Sequence, residues 1–478
     1  MNYTTTTITS DDYPELVSKD APVKTVAVGT VLLTYNWPTK SVCVAVIVTG
    51  CRGEKPLSRM ATVSSFYDSS RWQAHATFTS DDLGSVDVSR QAPISGTYDG
   101  ISPMGLVWSA ERLPGEAQPV SVGSIMRPLP IEIEALSRDG RRAPATLERY
   151  VAGRGVTRHP IRSEGIVGTL FVPSGAGPHP AVLVVSGGGG GIDEFRGAIL
   201  ASHGYAVLAL GHFGLEGLPR GLVNIPLEYF ENAIGWMCRQ PWLADFLGVW
   251  GSSRGGELAL LLGATFPEID AVIAWVPSGV VFWALGLAEP GDARPRAAWT
   301  FRDKPLHCLQ ENNSGHDLEP EAEPGLPIAH TPFYRSFLRD SQAVERATIP
   351  VEKTQGPILL VSGTDDQMWP SSELAVIALH RLEVHRHPFP FRHLKCPGAG
   401  HLILVPYWPT TVRAVGLHVE GFSGYLYSQG GTSKADEEAG VDAWRNTLAF
   451  LKNAVDATAE RLQPDEGLGR PAPLTSKR

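Results

Sequence analysis

One stretch constrains this chain more than any other: Leu247-Gly248-Val249-Trp250-Gly251-Ser252-Ser253-Arg254-Gly255-Gly256-Glu257. It reads as a buried apolar strand, a Gly-x-Ser-x-Gly turn and the start of a helix. Gly251 and Gly255 flank Ser253 where a side chain would crowd a tight, strained turn. A helix that begins at Ser253 turns its free N–H groups toward any negative charge that develops there. The pattern is that of a nucleophile elbow, which holds a serine hydroxyl out at the edge of a sheet. An ordinary Gly/Ser turn is the plainer alternative, but both flanks fit the elbow.

The chain has 478 residues, enough for two to three domains. Hydrophobic residues make up 43% and charged residues 19%, the balance of a globular chain. The net charge of −9 and a pI near 5.9 argue against nucleic acid or an anionic membrane as the main partner. No apolar run is long enough to span a membrane. The start, Met1-Asn2-Tyr3-Thr4-Thr5-Thr6-Thr7, lacks the basic and apolar regions of a signal peptide. The cysteines Cys43, Cys51, Cys238, Cys308 and Cys396 are odd in number and scattered, which predicts free thiols in a reducing cytoplasm.

Residues 1–18 are polar and Thr-rich, a tail. Over 19–145 short β-like runs alternate with turn residues, among them Thr30 to Tyr35, Val42 to Val48 and Trp72 to Phe78. They predict an all-β, immunoglobulin-like sandwich domain. From 150 to 456 the character changes. Ala181 to Val185, Ala206 to Leu210, Ala271 to Val276 and Ile358 to Val361 are near-continuous apolar runs, as in strands covered on both faces. Helices are expected between them at Arg196 to Ser202, Leu227 to Met237 and Glu257 to Phe266, and a last one at Val441 to Val455. This is an α/β pattern: a doubly wound, mostly parallel sheet, the α/β-hydrolase fold. Residues 277–345, rich in Pro, charge and aromatics and without a clear strand, read as an insertion or lid; 457–478 reads as a disordered tail.

A serine needs a base, and the base an orienting carboxylate; in this fold they follow in the order Ser, acid, His. The strand Ile358-Leu359-Leu360-Val361-Ser362 runs into Gly363-Thr364-Asp365-Asp366-Gln367-Met368-Trp369-Pro370. Asp366 is favoured over Asp365 by its place between Gly363 and Pro370. His401, after Pro397-Gly398-Ala399-Gly400, sits on a loop from which a base can reach back to Ser253; His393, inside the preceding strand, reads as a packing residue. Gly187-Gly188-Gly189-Gly190-Gly191 follows an early strand, so bare amides can face a carbonyl oxygen. The expected oxyanion donors are the N–H of Arg254 and of a residue near Gly188; which glycine supplies the second stays open. Motifs for phosphate or dinucleotide binding are absent. His380, His385 and His387 resemble a metal cluster only superficially, and Cys238 looks like the end of a packed helix. No metal or organic cofactor is expected.

The residues also match a family. Trp72 to Phe78, Ala92-Pro93-Ile94-Ser95-Gly96-Thr97-Tyr98 and Pro103 to Ser109 in the first part carry the match. So do Glu194-Phe195-Arg196, Leu200 to Leu210, Leu227-Glu228-Tyr229-Phe230, Asp365 to Ser371 and Pro397 to His401 in the second. Over nearly its whole length the chain resembles the acyl-CoA thioesterases and bile acid-CoA:amino acid N-acyltransferases. The resemblance implies a β-sandwich before an α/β-hydrolase domain, a triad at Ser253, Asp366 and His401, and acyl transfer from a thioester. Members with serine rather than cysteine as nucleophile tend to hydrolyse, which makes water the expected acceptor and an acyl-CoA or ester the small-molecule partner. A Ser-dependent acyltransferase or cyclase, or a hydrolase of an ester, lactone or amide, is the alternative; a non-catalytic binding protein is a third. The sandwich is free to pack beside the site or to mediate a homo-oligomer.

Overall fold

The apolar runs become neighbouring strands of one sheet. In the computed structural model the described residues are 32–34, 45–48, 56–64, 71–80, 86–114, 124–137, 142–286, 296–309, 326–416 and 425–462. The 1–18 tail, Cys43, Cys51 and residues 463–478 lie outside them, as do 287–295 and 310–325 of the insertion. The central sheet has eight strands: β1 Thr157–Ser163, β2 Ile166–Val172, β3 His179–Val185, β4 Ala206–Leu210, β5 Leu243–Ser252, β6 Ala271–Trp275, β7 Ile358–Gly363 and β8 Phe391–Cys396. Their spatial order is β1-β2-β4-β3-β5-β6-β7-β8. β1, β2 and β4 pair antiparallel; from β4 onward every pair is parallel.

Alternation along each strand divides the core. Leu183, Val185, Val249, Val272 and Leu360 face one layer, and Val182, Val184, Trp250, Ile273 and Leu359 face the other, all essentially buried. Helices cover both faces: α1 Glu194–Ala201, α2 Leu227–Cys238, α3 Arg254–Thr265, α4 Thr331–Phe337, α5 Ser341–Ala347, α6 Ser371–Val384 and α7 Ser433–Leu462. On one face Trp250 meets Trp275 edge-on at 5.0 Å, and Trp275 Nε1 donates to Thr447 Oγ1 of α7 at 3.2 Å. This is the doubly wound α/β-hydrolase fold.

Two expectations need correction. The last helix is not limited to 441–455 but runs Ser433–Leu462, so the chain is helical past residue 457. Its first turn is polar, which concealed it from a reading based on an apolar stripe. The 277–345 insertion does contain strand. Trp299–Phe301 pairs in parallel with Ile225–Pro226 and antiparallel with Lys304–Pro305. These strands are three residues or fewer, too short to show a period.

Before the central sheet every strand pair of the described residues is antiparallel. Pro56–Ser64, Arg71–Thr79, Leu129–Ser137 and Arg142–Arg149 form the body of a six-stranded sheet, and Leu32–Thr34, Ala45–Val48 and Val86–Asp87 a three-stranded one. Val86 and Val88 join Trp72, Ala74, Ala76, Phe78, Ile131 and Ile133 in one core, so the two sheets share an interior as a sandwich. In Arg71–Thr79 burial alternates residue by residue, as the sequence alternation required.

The sandwich grips the segment after His401. Thr410 N donates to Trp108 O at 2.9 Å, and Thr411 Oγ1 to Ala110 O at 2.5 Å. The Arg149 guanidinium lies 4.1 Å over the Trp408 ring and donates to Pro406 O at 3.3 Å. Glu437 of α7 closes this contact by accepting from Tyr407 N at 3.3 Å. Burial pushes its carboxyl up to about 7, with Tyr407 N–H and Arg149 pulling back. A folded-state value raised above the unfolded one stabilises the protein below pH 4.5, and that contribution is lost as pH rises toward 7. Glu437→Gln is therefore expected to flatten the fall of stability between those values, by an amount on the order of 2–3 kcal/mol. Urea unfolding of both proteins at pH 5 and pH 8 checks it; parallel losses would contradict it.

Candidate active site

Ser253 sits between β5 and α3 with φ 59° and ψ −125°, a backbone region that stores about 1–3 kcal/mol of strain. The surroundings hold it there. Its N–H donates to Trp275 O at 2.9 Å. A Cβ at Gly251 would lie 1.9 Å from Gly255 O, and one at Gly255 2.6 Å from Ser186 O. The two glycines of the motif are thus required by backbone approach.

Asp366 and His401 follow β7 and β8, at the same carboxyl edge of the sheet. His401 Nδ1 is 2.8 Å from Asp366 Oδ2, and His401 Nε2 is 3.0 Å from Ser253 Oγ. Both Asp366 and His401 are buried. The other oxygen, Asp366 Oδ1, accepts from Met368 N at 3.0 Å and Trp369 N at 3.2 Å, which fixes the carboxylate plane. Thr331 Oγ1 at the head of α4 donates to Asp366 O at 2.7 Å, so the insertion helps hold this loop. Asp365 is exposed and turned away; its Oδ2 accepts from Gly431 N at 2.9 Å. The three residues expected to act together are brought into one hydrogen-bonded line.

The Gly187–Gly191 loop leaves β3 beside the elbow. Gly190 N donates to Gly187 O at 3.1 Å and Gly191 N to Phe213 O at 3.4 Å, so the last two amides close the turn. A Cβ at Gly187 would sit 3.5 Å from Ser253 Cβ, and one at Gly188 3.3 Å from both Arg254 Cγ and Leu285 Cδ1. Gly187 and Gly188 are thus the members of the loop nearest the elbow.

The side chains of α3 hold something the sequence reading missed. Arg254 and Glu257, both fully buried, form an ion pair at 2.9 Å. Arg254 Nη2 donates to Phe282 O at 3.1 Å and Trp283 O at 3.0 Å. Glu257 accepts from Phe282 N at 3.2 Å and Trp299 Nε1 at 2.8 Å. Burial pushes the Glu257 carboxyl above the usual range, and Arg254 pulls it back. The pair clamps the insertion onto the elbow helix. The available signal was Glu257 itself, a lone acid heading the apolar run Leu258 to Leu262. The clamp supports an aromatic wall: Trp283 stacks on Tyr334 at 5.4 Å, Phe282 meets Tyr334 edge-on at 4.9 Å, and Trp369 lies 6.1 Å from His401.

Two of the weaker candidates, His393 and His387, are tied into the fold by hydrogen bonds, while Cys238 at the end of α2 is exposed. His393 Nε2 bonds Ser362 Oγ at 2.8 Å, and burial, with Lys395 nearby, lowers its pKa. His387 Nε2 is 3.1 Å from Gly356 O. No group of metal-binding residues exists among the described residues. Cys238 and Cys396 are free thiols, and burial raises the pKa of both. No helix of the described residues is long and apolar enough to cross a membrane.

Comparison with known proteins is consistent across the chain. The family model "Acyl-CoA thioester hydrolase/BAAT N-terminal region" matches residues 42–163, and "BAAT / Acyl-CoA thioester hydrolase C terminal" matches 225–457. The mouse (Mus musculus) peroxisomal succinyl-coenzyme A thioesterase is 31% identical over 430 residues, covering 87% of this chain and 94% of its own. The chain belongs to the acyl-CoA thioester hydrolase/BAAT family. Human acyl-coenzyme A thioesterase 1 is 30% identical over 418 residues, covering 85% of this chain and 92% of its own. Among solved structures, a Mycobacterium tuberculosis puromycin-hydrolyzing peptidase aligns at 15% identity and a TM-score of 0.41, over 81% of this chain and 52% of that one. The family member described here is an enzyme of the α/β-hydrolase class, thioesterase-like in kind.

Proposed function

We propose that this protein hydrolyses an acyl-CoA thioester through a covalent acyl-enzyme on Ser253. The observation that carries the reading is the hydrogen-bonded line Asp366–His401–Ser253, at 2.8 and 3.0 Å. His401 Nε2 takes the Ser253 proton as Oγ attacks the thioester carbonyl. The N–H groups of Arg254 and Gly188 hold the oxyanion. The C–S bond breaks, and His401 gives its proton to the leaving thiolate. A water then enters, His401 removes its proton, and the acid is released as Ser253 is reprotonated. Asp366 keeps the imidazole in the productive tautomer and steadies its positive charge. Trp283, partly exposed and backed by the buried rings of Phe282, Tyr334 and Trp369, offers the acyl group an apolar surface. In this reading residues 19–145 are the sandwich domain, 150–456 the catalytic domain and 277–345 the insertion that shapes the pocket. Free Cys238 and Cys396 favour a reducing, cytoplasmic setting.

The test is a hydrolysis panel: acyl-CoAs from acetyl to palmitoyl, p-nitrophenyl esters of matching length, lactones and amides, with and without amine acceptors. Acyl-CoA turnover to free acid, unchanged by added amines, is the expected result. Turnover confined to oxygen esters, lactones or amides would overturn the substrate; amide products would overturn water as the acceptor.

A further inference from the structure

Asp436 and Arg413 form an ion pair that touches the main chain on both sides of the His401–Asp366 bond. Asp436, in the first turn of α7, is 1% exposed. Its Oδ1 accepts from the N–H of Gly400, the residue before His401, at 2.7 Å. Its Oδ2 receives Arg413 Nη2 at 2.7 Å. Arg413 Nη1 donates to Gly430 O at 2.8 Å, and Gly430 is bridged to Asp366. His401 N donates to Gln429 O at 2.7 Å, so both loops are fastened to the same strip of chain. There is no slack: a Cβ at Gly400 would lie 2.4 Å from Gln429 O, and one at Gly431 2.6 Å from Asp436 Oδ1. Arg413 also donates to Thr410 O, and Thr410 is bonded to Trp108 of the sandwich. The strap that carries Arg413 is therefore anchored on the N-terminal sandwich, at the short helix Gly105–Trp108.

From this geometry we infer that Asp436 and Arg413 are positioning residues for the reaction: they set the approach of His401 to Asp366 and Ser253, and the β-sandwich anchors them. The inference rests on the triad reading above. The charges facing the pair come from several elements. Asp365 and Asp366 lie on the loop after β7, Arg413 on the strap, and Asp436 and Glu437 on α7, with Glu437 turned toward Tyr407 and Arg149. Asp366 is close enough to raise the pKa of Asp436, after the larger effect of burial.

The experiment compares Asp436→Asn, Arg413→Gln and Arg413→Lys with wild type. Active sites are counted by fluorophosphonate titration, and kcat, KM and the pH profile of kcat/KM are measured. Each neutral variant is expected to lower kcat per titrated site about ten- to hundredfold with KM within about twofold, the penalty for a misplaced base. The acid limb should move to lower pH in Asp436→Asn, which removes a negative charge near His401, and to higher pH in Arg413→Gln, which removes a positive one. Arg413→Lys should restore the midpoint and part of kcat. A pair that merely holds the fold would reduce titratable enzyme and melting temperature only; kcat per site and midpoint equal to wild type would overturn the inference. Arg413 is a third exposed, so its variants carry the test even where Asp436→Asn does not fold. Ser253→Ala is run alongside. Activity surviving in it overturns the triad reading and this role with it, whereas an inactive Ser253→Ala beside unaffected Asp436 and Arg413 variants overturns the positioning role alone.

Discussion

Alanine at Ser253 or at His401 is expected to lower kcat/KM for the best acyl-CoA by at least about 10³-fold, leaving the residue of catalysis that binding and the oxyanion donors supply. The losses should not add. Ser253 Oγ and His401 Nε2 share one hydrogen bond, at 3.0 Å, and one proton transfer, so the double variant should be no worse than the poorer single one. Ser253→Ala removes a single oxygen at a position fixed by backbone contacts, so its melting temperature should stay near that of wild type. Parallel thioester assays and thermal melts of the two single variants and the double decide the matter. Near-wild-type turnover by Ser253→Ala would remove Ser253 as nucleophile, and losses that multiply in the double variant would mean the two residues act separately.

Glu257→Ala is expected to be the most damaging single change outside the reacting groups. It leaves the buried Arg254 guanidinium without its counter-charge, and it strips an acceptor from Trp299 Nε1 and Phe282 N. Removing one member of a buried pair costs about 3–5 kcal/mol, because the remaining charge is neither solvated nor paired. Glu257→Gln keeps an acceptor oxygen and should lose less. The consequence reaches the site as well. Phe282 and Trp283 are held by Arg254, the residue whose amide stands next to Ser253, so the aromatic wall should loosen with the clamp. Urea unfolding gives the stability change; a loss under about 1 kcal/mol in Glu257→Ala would show that the pair is not needed to hold the insertion.

The legible part of the site was the part written in local rules. A serine between glycines at a strand-to-helix turn, an aspartate just after a strand and a histidine on a glycine-loosened loop each follow from backbone geometry near their own position. Asp366 could be separated from Asp365 by its spacing in the loop, and the structure turns only Asp366 inward. What escaped was every group whose role depends on a distant partner. Arg254 and Glu257 are neighbours in sequence, but the groups they grip, Phe282, Trp283 and Trp299, are supplied by the insertion. Asp436 was hidden in a helical turn whose polarity concealed that it was helix at all, and its partner Arg413 lies on an irregular strap.

By itself the sequence determined the order of chemistry-bearing residues, the class of the sheet and the family, because strand burial, elbow turns and glycine-rich loops obey short-range sterics and periodicity. Tertiary structure alone decided how the β-sandwich meets the segment after His401, which carboxylate braces Gly400, and how residues 282, 283 and 299 are fastened to the helix after Ser253. Those contacts join residues far apart in the chain, and no local pattern encodes a partner that only folding brings within hydrogen-bond distance.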